Sequence, residues 1–160
     1  MNSGTSKLLH IIALLCVAAV AVALVSQHIF GMRPCAWCVL QRFIFLMIAL
    51  VCWAGLLLGR RNAMAGRITA LLALVLSVGG VAAAWYQYTV AANMFSCDMT
   101  FADRFMVSSG LDANAPWLFG IFATCMDARV ELFGLEYALW GLGLFVVTGV
   151  LALIAMLRRH

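Results

Sequence analysis

Apolar residues crowd four stretches of the chain, at about 8–30, 39–58, 68–90 and 137–157, and most polar residues fall between them. Each stretch is near the ~20 residues with which an α-helix, rising about 1.5 Å per residue, crosses the hydrocarbon of a bilayer. Gly and Ala recur inside them, as they do where helix backbones approach closely in lipid. Gly80 and Ala84 make a small-xxx-small pair, and Gly141 and Gly143 lighten the last stretch. The pattern predicts an all-α integral membrane protein, one membrane domain over residues 1–160 built as a four-transmembrane-helix bundle. Loops are expected at about 31–38 and 91–136. Lys7 followed by Ala19-Val20-Ala21 or Ala21-Val22-Ala23 has the outline of a cleavable signal. The apolar run continues through Leu24 and Val25 to spanning length, so the segment is expected to remain as the first helix.

Composition agrees and adds a direction. The 160 residues are 66% hydrophobic and 10% charged, against about 25% charged in a water-soluble domain, which leaves no room for a separate soluble unit. Where the charges fall says more than the net +4. Lys7 precedes the first helix, Arg60, Arg61 and Arg67 fill the short turn between the second and third, and Arg158 and Arg159 end the chain. All six acidic residues (Asp98, Asp103, Asp112, Asp127, Glu131, Glu136) lie in the long loop before the last helix. The positive-inside rule therefore puts both termini in the cytoplasm and both loops outside. The same rule accounts for the basic residues, so nothing points to nucleic acid.

Four of the six cysteines then fall outside: Cys35, Cys38, Cys97 and Cys125. Cys16 and Cys52 fall in the inner half of the bilayer, where a free cysteine behaves as a small hydrophobe. An extracytoplasmic face permits disulfides, and two pairings are natural by position, Cys35–Cys38 and Cys97–Cys125. Structural staples suit the second pair, whose long loop a bridge would stabilise by roughly 3.5 kcal/mol. They suit Cys35–Cys38 poorly, because a bridge inside one helical turn closes almost no loop. Pro34 fits the first turn of a helix, and a helix N-terminus favours a thiolate. A four-thiolate zinc site is the other alternative, though Cys97 and Cys125 are not themselves a close pair and only His28 is near.

Arg42 lies four residues after Cys38 and seven after Cys35, on roughly the same helix face. A guanidinium there favours a thiolate and offers donors to a carbonyl; the ordinary alternative is an arginine snorkelling to the headgroups. Trp37 reads as an interfacial anchor or as part of a flat-ring pocket. Two outer disulfides, one of them at the lipid boundary, suggest a relay by thiol–disulfide exchange. Its last acceptor has to reach the boundary from the bilayer, and a quinone is the two-electron candidate.

Gln27-His28, Pro34-Cys35-Ala36-Trp37-Cys38, Arg42, Cys97-Asp98, Cys125, Gly134-Leu135-Glu136 and Trp140 together resemble the DsbB family, the bacterial disulfide bond formation protein B, over nearly the whole chain. The resemblance implies a protein-dithiol:quinone oxidoreductase of the bacterial inner membrane, with its active loops facing the periplasm. Cys97 would form a mixed disulfide with a DsbA-like soluble thiol oxidase, and Cys125 would be its partner. Cys35 would receive electrons through a transient bond with Cys125, and Cys38 would face ubiquinone, or menaquinone, with Arg42 holding the quinone head. The stretch from Pro116 to Phe122 is expected to lie on the membrane and let Cys125 move. Three departures bear on the quinone contacts: Gln41 where an acid is familiar, Tyr88 where a histidine is, and the aromatic Ala36-Trp37 dipeptide. VKOR-type oxidases, the nearest different family, carry their Cys-x-x-Cys near the last helix, whereas here it opens the second.

Overall fold

The computed structural model describes residues 3–58, 63–93 and 99–157. Four long helices, α1 (Ser3–His28), α2 (Ala36–Leu58), α3 (Ala63–Thr89) and α7 (Tyr137–Leu157), form an all-α bundle, and each contains a stretch long and apolar enough to cross a membrane. They pack in a ring: α1 on α2, α2 on α3, α3 most extensively on α7, and α7 back on α1, with little contact across the α1–α3 diagonal. The last span has the expected bounds, whereas the first three helices begin earlier than the apolar runs suggest, α1 and α3 by about five residues. Polar residues at a span's end keep helical hydrogen bonds after the helix has left the hydrocarbon, so an apolar run underestimates helix length.

Small residues admit large ones in the core. Phe45 of α2 and Phe145 of α7 stack at 3.9 Å with ring planes 2° apart. Gly80 makes the space for this, since a Cβ there would stand 2.3 Å from the Phe145 ring. Ala84, one turn on, is fully buried. The Ser77 and Thr148 hydroxyls meet across α3 and α7 at 3.2 Å, and Thr148 also donates to the Phe145 carbonyl. Hydroxyls buried at this depth need such partners. Cys16 and Cys52 are fully buried in the same core.

The connection from α3 to α7 is folded rather than open. A 3-10 turn (Ala91–Asn93) ends α3, and after it come α4 (Phe101–Ser108), α5 (Leu111–Asn114), α6 (Pro116–Phe119) and a hairpin of β1 (Glu131–Leu132) with β2 (Leu135–Glu136). Thr100 and Asp103 close a capping box at the head of α4, which satisfies orphan N–H groups at both positions. Ala102, Met106 and Phe119 are buried against the start of α2, while Phe101, Trp117 and Phe122 stay exposed. Phe133 (φ +56°) and Gly134 (φ +79°) turn the hairpin with both residues left-handed, the geometry of a two-residue type I′ loop. It delivers the chain into α7.

Candidate functional site

The site forms where this connection lies over the start of α2. Met32 to Cys35 are non-helical, and α2 begins at Ala36. Pro34 thus precedes the helix instead of occupying its first turn. Its carbonyl accepts from Phe122 N at 3.0 Å, and the Cys35 carbonyl takes Val39 N, the first bond of α2. Cys38 is therefore in the first helical turn, not the loop.

Three sulfurs gather here. Cys35 is fully buried, and its Sγ is 3.0 Å from that of Cys38. Cys125, brought in by the loop, packs against the same cluster and lies beside Cys35. Those two neighbouring thiols, Cys125 before Cys38, together with burial, push the Cys35 thiol well above its usual value. A group held this way keeps its proton at neutral pH. Cys97 lies outside the described residues. Cys38 faces a different donor, the side-chain Nε2 of Gln87 at 3.2 Å, and Gln87 Oε1 in turn accepts from Gln41 Nε2 at 2.7 Å.

Arg42 is buried, with 6% of its surface exposed. It donates to Gln27 Oε1 at 2.5 Å, to the Leu118 carbonyl at 3.1 Å and to the Ala23 carbonyl at 3.3 Å. It does not snorkel. Its fork ties α1 and α6 to α2, and His28 Nε2 reinforces the link by donating to the Trp117 carbonyl at 3.0 Å. The Pro116–Phe122 stretch is thereby latched to the bundle by its backbone.

A cavity of about 370 Å³ lies between α1, α2 and α7, with Cys38, Gln41, Arg42 and Gln87 on its wall. Leu15, Val22, Phe45 and Leu144 make it mostly apolar, and Tyr137, Trp140 and Gly141 bring in the head of α7. Its size suits a small flat molecule rather than water alone. A smaller recess joins Cys38 to Cys125 and also takes in Tyr88, Arg129 and Glu136. Arg129 pairs with Glu136 and donates to Asn93 Oδ1 at 3.3 Å, which fastens the segment after Cys125 to the turn at the C-terminal end of α3. Among the described residues no three His, Cys, Asp or Glu side chains are disposed to hold a metal ion; Cys97, which the zinc alternative requires, lies outside them.

Two sequence expectations shift. Trp37 neither anchors at an interface nor lines the cavity; it is buried, with its ring 4.7 Å from that of Tyr86. The α3 residue on the cavity wall is Gln87, while its neighbour Tyr88 faces the smaller recess. Sequence reasoning missed Gln87. The available signal was an uncharged polar residue near the end of an apolar span, where a buried amide needs a partner.

Four helices long and apolar enough to span a membrane, with three thiols gathered at one end, define a membrane protein with a thiol cluster. Residues 5–155 match the family model described as Disulfide bond formation protein DsbB. The chain is 32% identical to Disulfide bond formation protein B 1 of Pseudomonas putida, over 100% of this chain and 98% of the relative. It is 31% identical to Disulfide bond formation protein B of Herminiimonas arsenicoxydans, over 98% of each. The chain belongs to the DsbB family. It is thus a multi-pass membrane protein of disulfide bond formation, and that reaction makes it an oxidoreductase, because joining two thiols removes two electrons.

Proposed function

We propose that the protein reoxidises a DsbA-like soluble dithiol oxidase on the periplasmic side of the bacterial inner membrane and passes the electrons to a membrane quinone, ubiquinone or menaquinone. One observation carries this reading: Cys35 lies 3.0 Å from Cys38 with Cys125 packed beside the pair, and Cys38 stands on the wall of the cavity beside Arg42. A structural staple would commit Cys35 to one partner. A sulfur with two neighbouring sulfurs is arranged for exchange, which proceeds when a thiolate attacks one sulfur of a disulfide and expels the other.

The steps balance as follows. A thiolate of the reduced partner attacks Cys97 of a Cys97–Cys125 disulfide, forming the mixed disulfide and releasing Cys125. Cys125 attacks Cys35 of a Cys35–Cys38 disulfide and releases Cys38 as thiolate. The partner's second thiol attacks its own sulfur bonded to Cys97, leaving the partner oxidised and Cys97 free. Cys97 then displaces Cys35 from Cys125, which restores Cys97–Cys125 and leaves Cys35 and Cys38 reduced. Closing Cys35–Cys38 again sheds two electrons and two protons, and a quinone supplies the two-electron, two-proton sink. The residues present fit such a group: apolar walls for a ring, Arg42 and two amides at one end, and a sulfur beside them. Arg42 would hold a quinone oxygen through a donor not already spent on α1 or α6.

The test is turnover by purified protein in mild detergent with a reduced thioredoxin-like donor and a soluble quinone. Cys38→Ser is expected to abolish quinone reduction while the protein still forms the mixed disulfide through Cys97. Unchanged quinone reduction in that variant would overturn the proposal. Quinone co-purifying with the wild-type protein is the expected companion result.

A further inference from the structure

Two glutamines sit where lipid-spanning helices seldom carry them. Gln41 on α2 and Gln87 on α3 are each 7% exposed, and an amide at that depth is costly unless partnered. They partner each other and end on sulfur: Gln41 Nε2 to Gln87 Oε1 at 2.7 Å, then Gln87 Nε2 to Cys38 Sγ at 3.2 Å. The α7 helix makes room, since a Cβ at Gly141 would stand 2.6 Å from Gln41 Oε1. All four residues line the 370 Å³ cavity.

An amide differs from a carboxylate in carrying a donor and an acceptor of nearly equal size at the two ends of one broad torsion. Turning both amides over keeps both contacts and reverses every donor. In one sense Gln87 offers N–H to Cys38; in the other it offers C=O. We propose that Gln41 and Gln87 are a polarity-reversible relay onto Cys38, donating to its thiolate and accepting from its thiol, so that the sulfur keeps a hydrogen bond in both forms. The proposal rests on Cys38 being the sulfur that faces the quinone. Gln87 touches the reacting sulfur and is a catalytic residue in that sense; Gln41 acts through it and is a positioning residue. The relay carries no net proton: the one Cys38 gives up leaves by way of the acceptor or solvent.

Other charges near Cys38 stay in place when the amides are changed. They are Arg33, Arg42, Arg129 and Glu136, with Tyr88, Tyr137 and the thiols of Cys35 and Cys125. A change in thiolate reactivity on replacing an amide by leucine, which adds no charge, therefore reports the relay.

The experiment is iodoacetamide alkylation of Cys38 in the reduced, full-length protein, read at that residue by mass spectrometry across pH values from about 5 to 9. Gln87→Leu removes the N–H donor without adding charge, and is expected to slow alkylation at neutral pH by ~10-fold and to move the profile upward by about one pH unit. The isosteric Gln87→Glu, which adds a carboxylate as well, is expected to move the profile further. Gln41→Glu is expected to be slower than Gln41→Leu. A carboxylate at 41 claims Gln87 Nε2 and turns Oε1 onto the sulfur, whereas leucine only leaves Gln87 undirected. Profiles for both Gln87 variants that superimpose on the wild type would overturn the relay. If a Gln87 variant is not recovered folded, the order within the Gln41 pair decides, and an equal or reversed order overturns it. Quinone reduction by the wild type is measured alongside. Shifted profiles without wild-type turnover remove the proposed function and keep the relay; turnover with unmoved profiles does the reverse.

Discussion

At the scale of single residues, the two sulfurs of the Cys-x-x-Cys pair live in different surroundings although they are 3.0 Å apart. Cys35 is enclosed with the Cys125 and Cys38 thiols beside it, and these neighbours together with burial raise it well above the ordinary cysteine value of 9.0. Cys38 meets an amide N–H in the first turn of a helix whose N-terminal dipole favours negative charge. The sign of the Cys35 shift sets its chemistry. A raised value means a larger protonated fraction at any given pH, so its thiolate, the reactive form, is scarcer than that of a free cysteine. In reduced protein the alkylation rate at Cys35 should lag a model thiol by ~10-fold or more at pH ~8, and should keep climbing tenfold per pH unit after the model thiol has levelled off. Peptide-resolved alkylation rates check this. A Cys35 rate that levels off together with the model thiol would mean the Cys125 and Cys38 contacts do not hold its proton.

The elements divide into those that stand alone and those that borrow their stability. The four spans were legible because a run of ~20 apolar residues is a signal that needs no partner to read. The connection was not. Helices of eight and four residues, such as α4, α5 and α6, are too short to persist without packing. What holds them is contact with α2 and the bonds from Arg42 and His28, neither of which has a periodic trace in the sequence. One local signal was present: Thr100-x-x-Asp103 is a capping pattern, and the structure closes it from both sides. Thr100→Ala should cost about 1 kcal/mol at the head of α4, seen as faster amide exchange through residues 101–108 with the spans unchanged. Exchange equal to wild type would place the stability of α4 wholly in Ala102 and Met106. The site was readable to a similar extent. Cys35, Cys38 and Arg42 share one motif, so their grouping follows from spacing at the head of α2, whereas Cys125 is brought to them by the packing of the loop. Gln87 lies 46 residues from Gln41 on another helix, and which face of α3 meets α2 is a matter of packing that a single sequence does not state.

For the whole molecule, the arrangement of charge and the chemistry of sulfur ask for the same orientation. Cys35, Cys38 and Cys125 share one end of the bundle with the acidic connection, while Lys7 and Arg67 mark the other. With the basic end inside, each of its charges stays on the negative side of a potential that would cost ~2.3 kcal/mol per charge per 100 mV to cross. That same orientation gives the thiols an oxidising compartment, where a disulfide persists, rather than a cytosol that reduces it. In the proposed orientation a charge rule acting during insertion would serve a redox requirement met only after folding. Single reporters in a background with the native cysteines changed to serine test it in spheroplasts. Asn114→Cys, in exposed α5, should react with a membrane-impermeant maleimide from outside. Lys7→Cys, exposed near the start of α1, should react only after the membrane is broken. The opposite pattern would set the thiol cluster in the cytoplasm, where neither a periplasmic donor nor a lasting disulfide is available, and the proposed electron path would fall with the orientation.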